Sequence, residues 1–363
     1  MSDRPAENEQ VRTRELLLLC SRVRMTPRQE GAAADLLGAG VDPGRLVETA
    51  VRHKVLQLAG PHIVRLAPRG SLAFGTKRLI DFYVHANAQR NRVLFAEAAR
   101  VLEAFDAADV TAVPLKGVVL AQEVYPDPGL RSLNDLDFLI GPHQRAVASK
   151  TLTSLGYIVG DMDPWTGALE PADRETELTW RLHLGNLHPH VRLLDDPFAP
   201  CARIDLSYDA TGGGDRQLSG ALLDAAEPGT CCAVPCRRLT PVDFLLHIAV
   251  HLHKEATNDR WLGAGSEQNL IKFCDLREYA LHLGSDTDWK RVARRAEEIG
   301  AAAALLHSAV RVHHLFADPF AGMLVSCLAD GPVGSIADDI PPQDPALRDW
   351  LAGPAVDSVY RHG

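Results

Sequence analysis

Two aspartates, Asp135 and Asp137, stand at the start of the run Asp-Leu-Asp-Phe-Leu-Ile, whose alternation and apolar end predict a β-strand. Side chains two positions apart in a strand point to the same face, so both carboxylates are expected side by side. A third carboxylate, Asp205, stands in Ala-Arg-Ile-Asp-Leu-Ser-Tyr, which also predicts a strand. Buried paired carboxylates repel each other unless a cation or protons neutralise them. The three acids therefore predict a site for a hard divalent cation with oxygen ligands.

Three acids from two neighbouring strands can hold two metal ions about 4 Å apart, an arrangement suited to in-line phosphoryl transfer. Upstream, Lys116-Gly117 joins a predicted strand to a predicted helix. A glycine there lets the backbone approach a phosphate, and the helix N-terminus offers N–H groups and the positive end of its dipole. Lys116 and Arg131 add positive charge for phosphate oxygens. Each feature alone has an ordinary explanation as a turn or a strand-edge charge, so the prediction rests on their combination in this order.

The run from Pro114 to Ile140 closely resembles the uncharacterised nucleotidyltransferase family of the DNA polymerase β-like superfamily. Members carry Leu-Lys-Gly, then Tyr-Pro followed at a fixed spacing by arginine, then Asp-Leu-Asp or Asp-Ile-Asp before an apolar residue. Leu-Gly-Tyr at 155–157, the Leu-Thr-Pro-Val-Asp-Phe-Leu-Leu-His segment at 239–247 and Phe-Cys-Asp-Leu at 273–276 also resemble family segments. The resemblance covers about residues 80–300.

The resemblance implies a nucleotidyltransferase fold that binds two Mg²⁺ ions and uses ATP or another nucleoside triphosphate as donor. Asp135 and Asp137 correspond to the paired metal ligands, and Asp205 corresponds to the third carboxylate. The family usually has a histidine two positions after that acid, where Ser207 stands here. The wider superfamily has Gly-Ser at the phosphate turn and a shorter gap before the acids, whereas this chain has Lys-Gly and a longer gap.

A pair of histidines, His247 and His251, is four positions apart on a predicted helix, so the two side chains share one face. This spacing occurs in zinc sites, but the motif H-E-x-x-H is absent. We weigh two interpretations: a half-buried pair within the core, or part of the wall of the nucleotide cleft. In the second interpretation, either histidine contacts the base or the acceptor.

The chain's 363 residues carry a net charge of −9, which argues against broad nucleic-acid binding because an acidic surface repels phosphate backbones. Seven scattered cysteines argue against a disulfide scaffold. Cys231, Cys232 and Cys236 suggest half of a metal site, but no second cysteine pair stands nearby, so free thiols are expected. Without a recognisable leader or an apolar run of about 18 residues, we expect a cytoplasmic protein that does not enter membranes.

The expected fold class is α/β (α+β), with a small mixed sheet between an N-terminal helical segment and a C-terminal helical bundle. The expected domains are 1–107 (helical), 108–210 (nucleotidyltransferase-like core), 211–330 (helical) and 331–363 (weakly structured tail). Helices are predicted at 80–108, 143–155, 242–253, 270–283, 289–299 and 301–316, and strands at 110–115, 135–140, 157–159 and 202–208. Asp42-Pro43 and Thr240-Pro241 are predicted helix starts. Residues 160–180 are predicted as a loop with one helix, 183–191 as a strand or hairpin, and 211–215 as a loop.

Three functions stay open from the sequence. The first is an enzyme that moves a nucleotidyl group, AMP from ATP, to a small-molecule or peptide acceptor, with Asp205 also acting as the base. The second is a non-catalytic module that kept the fold for binding a nucleotide or a partner. The third is a metal hydrolase that uses the histidines, which a preference for zinc over Mg²⁺ would distinguish.

Overall fold

The computed structural model of the chain describes residues 4–183, 185–210, 216–257, 269–317 and 319–329, and these form two compact units. The first unit comprises the described parts of Met1–His85, Leu252–Ala293 and Ala302–Gly363, and the second comprises those of Ala86–His251 and Arg294–Ala301. The expected domain boundaries after residues 107, 210 and 330 stay predictions. The predicted loop at 211–215 and the predicted tail at 331–363 lie outside the described residues.

Helices carry most of the described chain. In chain order they are α1 (Arg4–Cys20), α2 (Pro27–Gly38), α3 (Pro43–Arg52), α4 (Leu56–Leu66), α5 (Phe74–Ala107), α6 (Lys116–Glu123), α7 (Arg145–Ser154), α8 (Arg174–His183), α9 (Arg216–Ala225), α10 (Pro241–Thr257), α11 (Leu270–His282), α12 (Trp289–Glu298), α13 (Ala302–Phe316) and α14 (Pro319–Ala329). A 3₁₀ turn, Pro142–Gln144, precedes α7. Within the described residues, no helix is both long enough and apolar enough to cross a membrane.

Both predicted helix starts are confirmed by their hydrogen bonds. The Asp42 carboxylate accepts a hydrogen bond of 2.7 Å from the Arg45 N–H, and the Thr240 hydroxyl accepts one of 3.1 Å from the Asp243 N–H. Each residue precedes a proline at the first helical position, where the missing proline N–H costs nothing. These short signals are local, which is why the sequence alone suffices to predict them.

A six-stranded mixed sheet forms the centre of the second unit, and it confirms the expected fold class. The strands are β1 (Ala112–Pro114), β2 (Leu136–Ile140), β3 (Ile158–Met162), β4 (Leu169–Pro171), β5 (His190–Leu193) and β6 (Cys201–Ser207), in the spatial order β1-β2-β6-β5-β3-β4. Strands β2 and β6 are parallel, and the other pairs are antiparallel. Strand β2 carries Asp137 and its neighbour β6 carries Asp205, while Asp135 directly precedes β2.

The core of the second unit packs α5 against the sheet. The Phe105 and Phe138 rings meet edge to face with centroids 6.0 Å apart, and both side chains are buried. Next to them, the buried Glu97 carboxylate accepts hydrogen bonds from Arg100 at 2.6 Å, from Arg192 at 2.8 Å and from the Tyr157 hydroxyl. Because the buried Glu97 carboxylate is fully paired, it joins α5 to β5 and to Tyr157, which directly precedes β3, at little net cost in folding free energy.

The structure corrects two segments and confirms the helix predicted within 160–180, which is α8. Residues 160–171, predicted as a loop, extend β3 and form a hairpin with β4, and the segment 183–191, predicted as a strand or hairpin, ends in β5. A second hairpin, β7 (Glu227–Cys231) and β8 (Val234–Arg238), lies in the part predicted to be helical. In Glu-Pro-Gly-Thr-Cys, glycine and proline weaken the strand pattern, and pairing with β8 overrides the poor local propensity.

Candidate functional site

The register of β2 and β6 brings the three predicted carboxylates together. Asp137 and Asp205 are directly paired across the two parallel strands, and Asp135 lies one residue before β2 begins. Each residue offers a carboxylate oxygen, and these oxygens all lie within 4.8 Å of one another. The chain therefore builds one compact cluster of hard oxygen donors from residues far apart in sequence.

Burial makes this cluster unfavourable in its fully charged form. Burial raises the pKa of Asp137 to about 6, while the Lys116 ammonium opposes the shift and the Asp135 carboxylate adds to it. Burial likewise raises the pKa of Asp205 to about 7, with repulsion from Asp135 as the next largest cause. A divalent cation among the three oxygens would restore the charged forms, so the donor set fits a hard ion such as Mg²⁺.

Lys116 lies at the junction of β1 and α6, with its side chain directed to the cluster. The Leu115 N–H donates a 2.9 Å hydrogen bond to the Asp137 carbonyl, which fixes the junction beside β2. Lys116 itself adopts a left-handed backbone with φ of 45°, and its Nζ donates a 2.6 Å hydrogen bond to Asp137 Oδ1. The unusual backbone of a non-glycine residue thus serves to place an ammonium group against the buried carboxylate.

Gly117 and Arg131, both predicted to hold phosphate, are brought to the same end of α6. A Cβ on Gly117 would lie 2.7 Å from Arg131 Nη1 and 2.8 Å from Leu133 Cδ2, so a side chain at this position would displace both neighbours. The residue before α6, Leu115, has no side chain that can cap the helix. The N-terminal end of α6 thus combines a close guanidinium with backbone N–H donors, the arrangement that binds phosphate.

Three polar residues on α5 hold the segment between α6 and β2, and sequence reasoning missed them. The Asn91 amide donates to the carbonyls of Pro128 and Arg131 at 2.6 and 2.7 Å, and the Asn87 amide donates to Gly129 at 2.9 Å. Arg90 donates a 3.0 Å hydrogen bond to the Leu133 carbonyl. The sequence pattern that could have identified these residues is three polar side chains at positions i, i+3 and i+4 on an otherwise apolar helix face.

A second missed group flanks Asp205. Arg203 Nε lies 3.4 Å from Asp205 Oδ1, and the same guanidinium pairs with Asp161 on β3. The Asp161 carboxylate also lies 3.8 Å from His188 Nε2. Because Arg203 and Asp205 share one face of β6, their spacing of two residues was the signal that could have identified this pair.

The predicted histidine pair lies on α10. His247 is buried and its ring stacks on that of His251 with centroids 6.4 Å apart, while the cluster of ligand atoms includes neither histidine. Ser207, which stands where the family usually has histidine, donates a 3.2 Å hydrogen bond from its hydroxyl to the Asp209 carbonyl. In the described part of the chain, the carboxylate cluster is the one group of three or more His, Cys, Asp or Glu ligand atoms within 4.8 Å.

Taken together, the site places three acids beside a lysine, an arginine and a helix N-terminus. This set can hold a cation-bound polyphosphate, since anionic and cationic groups alternate over a short distance. The sequence model of the family described as uncharacterised nucleotidyltransferase matches residues 39–317. No curated protein shows a significant sequence match to the chain. With more than half of its length matched, the chain belongs to the uncharacterised nucleotidyltransferase family.

Proposed function

We propose that this chain is a Mg²⁺-dependent enzyme of the cytoplasm that transfers a nucleotidyl group, AMP from ATP, to a small-molecule or peptide acceptor. The observation that supports it best is the cluster of Asp135, Asp137 and Asp205, whose ligand oxygens lie within 4.8 Å. Family membership supports nucleotidyl transfer in general. Seven free cysteines agree with a reducing compartment.

In this proposal the chain's own residues bind the donor and prepare the acceptor. Lys116, Arg131 and the N–H groups that begin α6 hold the triphosphate, and Asp205 takes the proton of the acceptor hydroxyl. The acceptor oxygen then bonds to the α-phosphorus as the bond to pyrophosphate breaks. Two Mg²⁺ ions, held by the three carboxylates, would offset the charge that develops on the phosphate oxygens. His247 and His251 contact the base or the acceptor.

The test compares thermal unfolding of wild type and Asp137→Asn with each nucleoside triphosphate, with and without Mg²⁺. A ligand that binds only the folded state must raise the midpoint. We expect a rise with ATP that requires Mg²⁺ and is lost in the variant. Asp106→Asn, at an exposed position on α5, is the matched control and should respond like wild type. Pyrophosphate release with a panel of hydroxyl acceptors then measures transfer itself.

A second candidate, a nucleotide-binding module without catalysis, rests on one contact. The Lys116 ammonium already lies 2.6 Å from Asp137, where it neutralises charge that Mg²⁺ would otherwise neutralise. In such a module, ATP would raise the midpoint without Mg²⁺, Lys116→Met would abolish the rise, and Asp137→Asn would preserve it. The enzyme proposal fails on that pattern, and it also fails if no triphosphate shifts folded wild-type protein.

A further inference from the structure

The β7–β8 hairpin carries two adjacent cysteines at its turn. Cys231 is the last residue of β7 and pairs with Val234, so Cys232 and Ala233 form the two-residue connection. Both connecting residues have left-handed backbones, with φ of 50° and 63°. Turns of this type favour glycine or asparagine, because a side chain at such φ costs roughly 1–2 kcal/mol. A cysteine at the first position thus stands where the backbone favours other residues.

The two sulfur atoms face one another and share one hydrogen-bond donor. Cys231 Sγ and Cys232 Sγ lie 3.9 Å apart. Gln122 Nε2 donates to Cys232 Sγ at 3.2 Å and to Cys231 Sγ at 3.7 Å, while Gln122 Oε1 accepts from the Cys232 N–H at 3.1 Å. One side chain of α6 therefore fixes both the turn and the two thiols.

The surroundings favour negative charge on one of these sulfurs. The hydrogen bond between the two thiols lowers the pKa of Cys231 and raises that of Cys232. Burial opposes the shift at Cys231 and adds to the shift at Cys232, and the nearby Arg238 guanidinium further lowers the pKa of Cys231. Arg238 is held in place by 2.6 Å contacts to the Thr230 carbonyl and to the Glu123 carboxylate. Cys231 is buried whereas Cys232 is partly exposed, so the pair is reachable from the solvent side of the turn.

The sulfur separation matches that of two thiolates bound to one soft metal ion. With Zn–S bonds of about 2.3 Å and tetrahedral angles, two zinc-bound sulfurs lie roughly 3.8 Å apart. We propose that Cys231 and Cys232 form a dithiol site for a soft divalent ion of the zinc type, separate from the carboxylate cluster and independent of the proposed transferase activity. Thiolates select such ions, whereas carboxylates select Mg²⁺, so the cysteine pair and the carboxylate cluster would bind different metal ions.

Binding replaces two S–H bonds by two metal–sulfur bonds and releases two protons to solvent, with no change of oxidation state. Water occupies the remaining coordination positions. Cys236 lies on the same hairpin face as Cys231 but, among the described residues, it does not join a group of three ligand atoms within 4.8 Å. The site therefore uses two protein ligands, and Cys236 provides a natural comparison.

The test titrates the full chain, with its cysteines reduced, with Cd²⁺. Excess Mg²⁺ is present so that Cd²⁺ does not bind at the carboxylate cluster. The readouts are the ultraviolet charge-transfer absorption of cadmium–thiolate bonds and the protons released, neither of which depends on enzymatic activity. Wild type should saturate at one ion per chain. Cys232→Gly should bind at least about tenfold more weakly, since it loses one of two ligands. Glycine also suits the left-handed turn, so this variant keeps the hairpin folded.

Two controls separate the thiol pair from the other cysteines and from the turn. Cys236→Ser and Ala233→Gly keep both proposed ligands and should match wild type in absorption and stoichiometry. The proposal is overturned if wild type shows no saturable cadmium–thiolate absorption. It is equally overturned if Cys232→Gly, with an unchanged thermal midpoint, retains that absorption, or if Cys236→Ser loses it.

Discussion

At the scale of single residues, the behaviour of the site depends on how Asp137 and Asp205 carry charge. Both are paired across β2 and β6, and burial raises their pKa values to about 6 and about 7. Lys116 and Arg203 each contribute a cation beside one of the two acids. Without a metal ion, these two cations offset part of the repulsion among the three carboxylates. The raised pKa values of Asp137 and Asp205 then predict that the free energy of unfolding depends on pH near neutrality.

We predict that Asp205→Asn stabilises the Mg²⁺-free protein at neutral pH. Between an unfolded pKa near 3.9 and the folded value of about 7, native Asp205 retains a proton that the unfolded chain releases. Raising the pH across this window therefore lowers the free energy of unfolding of wild type more steeply than that of the variant, in which Asp137 is the remaining acid of the pair with a raised pKa. The gain should reach on the order of 2–4 kcal/mol near pH 7 and then level off.

Urea unfolding with a chelator, at intervals from pH 4.5 to 8, measures this difference. Asp106→Asn serves as the exposed control and should run parallel to wild type at every pH. Curves for Asp205→Asn that also run parallel to wild type would contradict the prediction. Saturating Mg²⁺ should stabilise wild type and Asp106→Asn but not Asp205→Asn, because the Asp205→Asn substitution removes one oxygen anion from the cluster.

Gly117 supplies a second prediction at this scale. A Cβ at this position would overlap Arg131 and the buried Leu133, so Gly117→Ala should lower the free energy of unfolding by about 1–3 kcal/mol. Displacement of Arg131 should also weaken ATP binding, which titration calorimetry measures in folded protein. Gly31→Ala in α2 is the matched control, because a Cβ there meets no atom within 4 Å. Equal stability of the two variants would show that Gly117 is not required by packing.

At the scale of elements, α5 positions the site through three polar side chains, Asn87, Arg90 and Asn91. Asn91 satisfies the carbonyls of both Pro128 and Arg131, so Asn91→Ala leaves both without their donor. We expect a loss of about 1–3 kcal/mol of stability for each carbonyl left buried without a donor. Without these hydrogen bonds, the segment between α6 and β2 should shift and move Arg131 and Asp135. The stabilisation of Asn91→Ala by ATP should therefore fall more than that of Asn87→Ala, which removes one hydrogen bond. Chemical unfolding and ligand-induced midpoint shifts measure the two effects, and equal losses in both variants would contradict this ranking.

The helices and strands also show which parts of the fold and of the candidate site could be predicted from the sequence. Strand β2 and the helices capped by Asp42 and Thr240 were predictable because alternation and capping are local signals. The clustering of Asp205 with Asp137 was predictable only as a combination of motifs, since their register depends on tertiary pairing. The β7–β8 hairpin and the spacing of the Cys231 and Cys232 sulfurs were not predictable, because they depend on the backbone of a turn without glycine.

At the scale of the whole molecule, buried and half-buried histidines oppose the carboxylates in setting acid stability. Burial lowers the pKa of His53 to about 3, of His190 to about 4 and of His307 to about 3. Between these values and about 6.5, the unfolded chain binds protons that the folded chain excludes, so acidification lowers stability. At pH 5 each histidine should cost about 2 kcal/mol relative to pH 7.

We predict that His190→Gln makes the loss of stability on acidification shallower by about one proton. Glutamine carries both a donor and an acceptor, so it can still form the hydrogen bond of 2.8 Å that joins His190 Nε2 to the Ser149 hydroxyl, and the folded state should be kept. Urea unfolding between pH 4.5 and 6.5 measures the slope. The variant and wild type share the carboxylates, so those cancel in the comparison. An unchanged slope would mean that His190 is protonated in the folded protein.

The parallel pairing of β2 and β6 has a consequence for how the protein acquires its site. The two strands are separated in sequence by α7, the β3–β4 hairpin, α8 and β5, and this whole crossover must close before Asp205 meets Asp137. Loop closure of this length costs entropy that later contacts repay, so such pairings form slowly. If the chain binds ATP with Mg²⁺ as proposed, recovery of this binding should therefore lag behind recovery of helical circular dichroism during refolding. Ligand binding would then report the last folding step.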